Sequence, residues 1–278
     1  MILTSENYYS QEANTEYMSV SQFKMFSSCE AAALAQLRGE YTPAASPAML
    51  VGGYVDAWFS GELPLFQAQH PEIFKRDGTL KSEYIKAQEI IARMEADELF
   101  SLLMSGDKQV IVTGEIAGVP FKGKLDCLLD AETCAEIVRR FPAAAAALGD
   151  HPRGAIVDQK VMRDLLPVWS EEDHCRVPFV EAYGYDLQGG VYQELEGRGL
   201  PFILAVGTKE AETDLAALYI SEADLKAGLY QVEDRAPHYQ AIKLGRERPR
   251  RCEHCGYCRA TRELTGIVNY RDLAEGDE

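Results

Sequence analysis

The spacing of apolar residues predicts three helices in the first part of the chain. SVSQFKMFSSCEAAALAQLRG, residues 19–39, has a helical apolar face that includes Cys29. Ser19 and Gln22 form a capping-box pattern at its start, and Gly39 can end it. A second helix is expected within SPAMLVGGYVDAWFSG and a third over KSEYIKAQEIIARMEADELFSLLMSG. Residues 1–17 carry no such pattern and are expected to be a flexible segment.

Strand patterns follow the three helices. KQVIVTGEIAGVPFKGKLDCLLD predicts a hairpin with its turn at Ala117-Gly118, and AIVDQKVM predicts a short apolar strand. Between them, FPAAAAALGD is expected to be a helix or a loop. A helix over GYDLQGGVYQELEG, strands over PFILAVGT and LAALYIS, and a final helix from Ser221 complete the order. This order predicts one α/β domain, residues 18–265, with a mixed central sheet flanked by helices.

Composition places limits on the class of protein. The 278 residues are 46% hydrophobic, and no apolar run approaches the ~20 residues of a membrane span. No secretory signal is visible, so we expect a cytoplasmic protein without membrane contact. The net charge of −16 disfavours nucleic-acid binding unless basic residues are concentrated locally, as they are in GRERPRR and FKGKLD. An acidic tail is expected over residues 266–278.

Charged residues within apolar segments are the candidates for chemistry. Strand alternation places Lys122, Lys124 and Asp126 on one face of the hairpin. Asp158 and Lys160 share a face of an otherwise apolar strand, where burial requires compensation such as a divalent metal. The alternative is a surface ion pair.

Asp56 is a further candidate of this kind. It is the only charge in LVGGYVDAWF, and the alternative is a helical Asp facing solvent. Gly52, one turn earlier, would permit the close approach of another element.

Cysteine spacing predicts a second metal site. Seven cysteines in a reducing compartment favour metal ligands or free thiols over disulfides. Cys252, Cys255 and Cys258 have two residues between each pair, whereas thiolate metal sites usually have four ligands. The spacing of these three cysteines therefore does not identify the fourth ligand.

The ordered set of motifs resembles the PD-(D/E)XK nucleases, and more closely the phage recombination exonucleases related to RecE and the RecB-type nuclease domain. The resemblance covers residues 18–265 and includes the phrases MSVSQFKMFSSCEAAALAQLRGEY, YGYDLQGGVYQ and CEHCGYCRATREL. Asp56 stands where RecB-type nucleases often carry His, and the stretch from Asp126 to Asp158 is long. The motifs, in chain order, are Gly52 to Asp56, Asp126, Asp158-Gln159-Lys160 and Gln188 to Tyr192.

The resemblance implies a restriction-endonuclease-like core and a role for each motif residue. Asp126 and Asp158, helped by Asp56 and a carbonyl at Gln159, would bind Mg²⁺ or Mn²⁺. Lys160 would position the attacking water. Two further residues, Gln188 and Tyr192, would contact DNA or support the metal site, with structural packing as the alternative.

RecB-type nucleases with iron–sulfur clusters take one cysteine from an early helix and three from the C-terminal end. By that resemblance Cys29 is the fourth ligand of a site that joins the chain ends and holds a [4Fe–4S] cluster, with Zn²⁺ as the alternative metal. The alternatives are that Cys29 is a buried core thiol or that His254 is the fourth ligand.

The resemblance implies a metal-dependent DNA exonuclease of a phage or prophage in a bacterial host. It would act 5′ to 3′ on double-stranded ends, expose 3′ strands for recombination, cooperate with a single-strand annealing protein and assemble as a homo-oligomeric ring. The alternatives are a RecB-like nuclease for single strands and a non-catalytic DNA-end or protein-binding module. The basic residues expected to line a DNA channel are Lys122, Lys124, Arg248, Arg250 and Arg251.

Overall fold

The computed structural model describes residues 1–43, 47–170, 174–264, 266–267 and 269. Its centre is a five-stranded mixed sheet in the order β1-β2-β3-β6-β7, in which only β3 and β6 are parallel. A two-stranded sheet, β4-β5, follows β3. The strands are β1 Asp107–Ile116, β2 Val119–Leu129, β3 Ala155–Met162, β4 Val168–Ser170, β5 Cys175–Val177, β6 Phe202–Thr208 and β7 Leu215–Tyr219.

Helices cover both faces of the central sheet. One apolar core packs α4, α6, α7 and α8 against one face, and others pack α2, α11 and α12 against the opposite face. The helices are α1 Gln11–Glu16, α2 Val20–Ser28, α3 Glu30–Leu37, α4 Pro47–Phe59, α5 Leu63–Gln69, α6 Ser82–Glu95, α7 Glu98–Leu103, α8 Ala131–Arg140, α9 Ala145–Leu148, α10 Phe179–Ala182, α11 Tyr185–Glu196, α12 Glu222–Lys243 and α13 Gly256–Ala260. The predicted α/β class with a mixed, helix-flanked sheet is confirmed.

The strands nearest the charged motifs follow the sequence pattern closely. Ala117 and Gly118 both have left-handed backbone angles, φ 50° and 76°, which suits a two-residue hairpin turn between β1 and β2. β3 has the predicted limits and is buried along most of its length between β2 and β6. These two strands place the charged motif residues at the centre of the sheet.

Two predicted helices are each divided. The helix predicted over residues 19–39 is interrupted at Cys29, whose backbone is extended at φ −166° and ψ 109°. A tertiary contact offsets the break, because the Ala31 N–H donates to the carbonyl of Arg250 at 3.0 Å. The helix predicted over residues 81–106 is likewise two helices, because the Asp97 side chain caps α7 through the amide of Phe100.

The N-terminal segment is more structured than its sequence predicts. Residues 1–17 include α1 and the buried Tyr8, although a flexible segment was expected. Two lysines account for this difference, because Lys122 Nζ donates to the Tyr8 carbonyl and Lys243 Nζ to the Tyr17 carbonyl. The acidic tail predicted for residues 266–278 falls almost entirely outside the described residues. None of the described helices is both long and apolar enough to cross a membrane.

Candidate active site

Two carboxylates lie where β2 and β3 separate. The strands pair only over residues 127–129 and 155–157, so Asp126 and Asp158 come just beyond the last pair. Asp126 Oδ2 accepts a hydrogen bond of 2.9 Å from the backbone N–H of Gln159. The carboxylate thus supplies the partner that this amide lost when the strands parted.

Asp158 is the most deeply buried member of the group, with 1% of its surface exposed. Its Oδ1 accepts a hydrogen bond of 2.7 Å from Gln188 Nε2 on α11, and its Oδ2 forms an ion pair with Lys160 Nζ. Oδ2 accepts no hydrogen bond of good geometry from the described residues. This is therefore a buried anionic oxygen with capacity for a further ligand.

Asp56 lies on α4, a helix that packs against one face of the sheet, and lines the same cavity. Its Oδ1 lies 3.4 Å from Gln109 Nε2, a long hydrogen bond. Gln109 itself has φ 54°, an uncommon backbone conformation for a residue with a side chain, and strain of this kind is often found at functional sites. Gly52 does not serve the predicted close approach of another element, because a Cβ there would meet nothing within 4 Å. It instead lines the open cavity.

The pKa shifts in the group have two physical causes. Burial raises the pKa of Asp126 well above its usual range, and the charge of Asp158 raises it further. Burial also raises the pKa of Asp56, against the opposing effect of Lys160 and Lys124. Burial alone would lower the pKa of Lys160, but Asp158 and Asp126 raise it overall, so the side chain remains an ammonium at neutral pH.

The acidic group fits a hard divalent cation. Asp56, Asp126 and Asp158 line one cavity of about 830 Å³, and Lys160, which is paired with Asp158, lies beside them. Lys24, Lys122 and Lys124 line other parts of the same cavity. Carboxylate oxygens are the ligands that Mg²⁺ and Mn²⁺ prefer, and the unsatisfied Asp158 Oδ2 is a suitable donor. The predicted residues for this site are therefore brought together.

Gln188 and Tyr192 share one face of α11, as predicted, and both line the cavity. The Tyr192 ring also packs inside the sheet layer. It stands edge-on to Phe202, with ring centroids 6.3 Å apart, and a Cβ on Gly123 would lie 3.1 Å from it. Tyr192 therefore packs in the protein interior, as the structural alternative predicts, and also lines the cavity.

The predicted DNA-binding residues do not share one surface. Lys122 lines the cavity but is 1% exposed, and its ammonium donates to Tyr8 O and Asn14 Oδ1, so its contact with DNA stays a prediction. Lys124 lines the cavity. The predicted group Arg248, Arg250 and Arg251 lies outside the described cavity lining, and Arg251 bonds Glu253, Thr261 and the Cys258 carbonyl.

Several cavity residues were not predicted. Lys24 on α2 lines the cavity, donates to the Tyr183 carbonyl at 2.8 Å and has a pKa that burial lowers to about 8. Tyr8 and Tyr9 line it from the N-terminal segment. Lys24 could have been found, because it is the only charge between Glu16 and Glu30, which is the signal that identified Asp56.

The four predicted cysteines form one cluster. Their sulfur atoms all lie within 4.8 Å of one another, with Cys29 Sγ 3.6 Å and Cys252 Sγ 3.9 Å from Cys258 Sγ. The break between α2 and α3 is what places Cys29 there. His254 is exposed and is not part of this cluster in the described chain.

The cysteine cluster has features of a thiolate metal site. Burial alone would raise the pKa of Cys252, yet the backbone N–H groups of His254 and Cys255 lower it to about 6. The Cys255 amide is 3.3 Å from Cys252 Sγ, and the Cys258 amide is 3.4 Å from Cys255 Sγ. Four converging sulfurs with backbone amides directed at two of them fit Zn²⁺ or an iron–sulfur cluster.

Comparisons with known proteins agree with this fold. The family model of a PDDEXK-like domain of unknown function, DUF3799, matches residues 19–137 and 150–261. A candidate exonuclease from Eubacterium rectale, whose crystal structure was determined at 2.19 Å, is 41% identical with a TM-score of 0.86, covering 99% of each chain. A comparison with curated proteins finds no match. Since the family model matches well over half of the chain, the protein belongs to the PDDEXK-like family DUF3799.

Proposed function

We propose that the protein is a divalent-metal-dependent DNA exonuclease. Membership of a PDDEXK-like family supports a nuclease, and the resemblance to a candidate exonuclease over 99% of the chain supports the narrower activity. The observation that carries the proposal is the joint position of Asp126, Asp158 and Lys160 in one cavity, where the two strands separate.

The resemblance gives each residue a role, and the contacts of the structure support it. Asp126 and Asp158 would hold Mg²⁺ or Mn²⁺, with Asp56 and the carbonyl of Gln159 as further oxygen ligands. Such an ion, when bound, would neutralise the charge that develops on the scissile phosphate.

Lys160 and Gln188 act beside the metal ligands. Lys160 is an ammonium at neutral pH beside Asp158 and would orient the attacking water and stabilise negative charge. Gln188 holds Asp158 in one orientation through the bond to its Oδ1.

The substrate in this proposal is a DNA end. By resemblance to the RecE-like exonucleases, the enzyme degrades duplex ends 5′ to 3′ and leaves 3′ strands for recombination. It would then work with a single-strand annealing protein, as a homo-oligomeric ring, in a bacterial cell carrying the phage or prophage. Lys24, Lys124 and Lys160 concentrate positive charge in the cavity of a chain whose net charge is −16. A nuclease for single strands is the second candidate, because a cavity of about 830 Å³ has room for a few nucleotides of one strand.

We also propose a structural metal at the cysteine cluster. A tetrahedral Zn²⁺ with Zn–S bonds of about 2.3 Å separates its sulfurs by roughly 3.8 Å. The separations of 3.6 and 3.9 Å at Cys258 support a single Zn²⁺. A [4Fe–4S] cluster, the alternative, would hold the four sulfurs farther apart, because irons and sulfides lie between them.

The nuclease assignment is tested with end-labelled duplexes that carry a 5′-phosphate or a 5′-hydroxyl, with and without Mg²⁺. Asp158→Asn and Asp126→Ala should abolish cleavage and leave DNA binding largely intact, because each removes charge from the metal ligands. Asp234→Asn, an exposed change on α12, is the matched control and should cleave like the parent. Cleavage by Asp158→Asn at the parent rate would overturn the assigned site.

A further inference from the structure

The N-terminal segment forms one wall of the proposed active-site cavity. Tyr8 is buried, and Lys122 beneath it binds its carbonyl and lies 4.5 Å from its ring centroid. The ring of Tyr9 contacts Tyr8 edge-on, with centroids 4.9 Å apart and an interplanar angle of 84°. Tyr9 is therefore held in place from below, although its own side chain is 69% exposed.

A cation accompanies this exposed ring. Lys124 Nζ lies 4.8 Å from the Tyr9 ring centroid and covers one of its faces. Lys124 also lines the cavity, where the N–H donors of its ammonium can bind an anion. Tyr9 is mostly exposed to solvent and lines the cavity that also contains Asp126 and Asp158.

The spacing to the carboxylates suits a nucleotide chain. Lys124 and Asp126 are on the same face of β2, two residues and so about 7 Å apart along the strand. A phosphate bound by Lys124 would be about one nucleotide from a phosphate at the carboxylates. An exposed aromatic ring beside a cation in a strand-sized cavity is the arrangement by which proteins bind unpaired nucleotides without regard to sequence.

We infer that Tyr9 and Lys124 form a nucleotide subsite, in which an unpaired base stacks on Tyr9 and its phosphate binds Lys124. The inference rests on the proposed nuclease function and specifies that the strand entering the cavity is unpaired at this nucleotide. Neither residue takes part in the chemistry. They would determine which nucleotide is bound next to the bond that is cleaved.

The test uses Asp158→Asn, which should bind DNA without cutting it, and single-stranded oligonucleotides with 2-aminopurine at successive positions from the end. In this background Tyr9→Ala should weaken binding about tenfold, equivalent to about 1.4 kcal/mol, within the range for one stacked base. It should also remove the fluorescence quenching at one position. Tyr9→Phe keeps the ring and should retain both affinity and quenching.

Two controls separate stacking from folding. Tyr230→Ala removes a tyrosine of equal exposure, 70%, on α12, and should bind and quench like the parent. Tyr9→Leu keeps an apolar side chain over Tyr8 without an aromatic face. If Tyr9→Ala lowers the melting temperature, loss of quenching in a stably folded Tyr9→Leu still supports the subsite.

The outcomes distinguish the two proposals. If the wild type cleaves DNA but Tyr9→Ala and Tyr9→Leu bind and quench like Tyr230→Ala, the subsite is overturned and the nuclease function stands. If the wild type cleaves no DNA with Mg²⁺ or Mn²⁺, the proposed function fails, and the subsite fails with it.

Discussion

At the scale of single residues, the active-site candidates are charges that burial makes costly. Asp158 is almost fully buried, and although Lys160 and Gln188 contact it, its Oδ2 accepts no hydrogen bond of good geometry from the described residues. A stable core would favour an apolar residue at this position. The presence of an acid and an ammonium on a central strand is therefore an argument for a chemical role.

Replacement of Lys160 by Met tests its role. The change keeps the length of the side chain and removes the charge, so DNA and metal should still bind. The rate of single-turnover cleavage should fall by at least ~10²-fold, the scale of losing one preorganised donor to the transition state. Lys226→Met, on the exposed surface of α12, is the matched control. A loss of DNA affinity with an unchanged cleavage rate would show that Lys160 binds substrate only.

Residues of the site could be predicted from the sequence where a charged residue lies within an apolar segment. Asp56, Asp126, Asp158 and Lys160 all carry that signal, and the structure brings them together. Gln109 was not predictable, because its position at the site depends on a left-handed backbone that a polar residue in a strand pattern does not indicate.

At the scale of elements, close contact between α11 and α12 stabilises the position of Gln188. A Cβ on Gly190 would lie 2.3 Å from the Leu225 carbonyl oxygen, and a Cβ on Gly228 would lie 2.5 Å from the Leu187 amide nitrogen. Both contacts are to backbone, which cannot move aside as a flexible side chain can. The helices therefore approach to a distance that only glycine permits.

Substitution of Gly228 by Ala should separate these helices. We expect a loss of about 2 kcal/mol or more in the free energy of unfolding, since overpacking against backbone costs about 1–3 kcal/mol. Gly52→Ala is the matched control, because its Cβ would meet nothing within 4 Å and alanine should stabilise α4 by roughly 0.5–1 kcal/mol. Urea denaturation of both variants measures the difference. Equal stability of Gly228→Ala and the parent would contradict the close packing.

Most elements could be predicted because their periodicity is strong and their caps are local. The hairpin turn, β3, α11 and the Ser221 cap of α12 fall where the sequence places them. The break at Cys29 could not be predicted, since its partner is the carbonyl of Arg250, far along the chain. A helix-favouring sequence is interrupted there by a tertiary contact.

At the scale of the whole molecule, the N-terminal segment and the segment of residues 252–258 both pack onto the domain between them. The N-terminal segment lies on β2 through the amide of Met18, which donates to the Pro120 carbonyl at 2.8 Å. The C-terminal cysteines reach back to Cys29, which is 229 positions from Cys258 in sequence. The metal proposed for the cluster would therefore join the start of α3 to the segment of residues 252–258.

Loss of Cys29 should open this junction without altering the carboxylate site. Cys29→Ser should lower metal content and melting temperature about as much as Cys255→Ser, because metal binding is coupled to the folding of the segments it joins. Cys175→Ser changes an exposed cysteine outside the cluster and should retain the parent's metal and stability. A zinc chelator should lower the melting temperature of the parent and of Cys175→Ser and have little effect on Cys29→Ser.

Elemental analysis and the visible spectrum of protein purified without oxygen identify the metal. The sulfur separations predict one zinc per chain and a colourless protein. A brown protein that contains iron and has a visible absorption band would show that the site holds a [4Fe–4S] cluster and not Zn²⁺. Full metal occupancy in Cys29→Ser would show that the fourth ligand lies elsewhere. Because the cluster is separate from the carboxylates, any loss of cleavage in Cys29→Ser should parallel its loss of folded protein. A fully folded but inactive Cys29→Ser would contradict the structural role of the site.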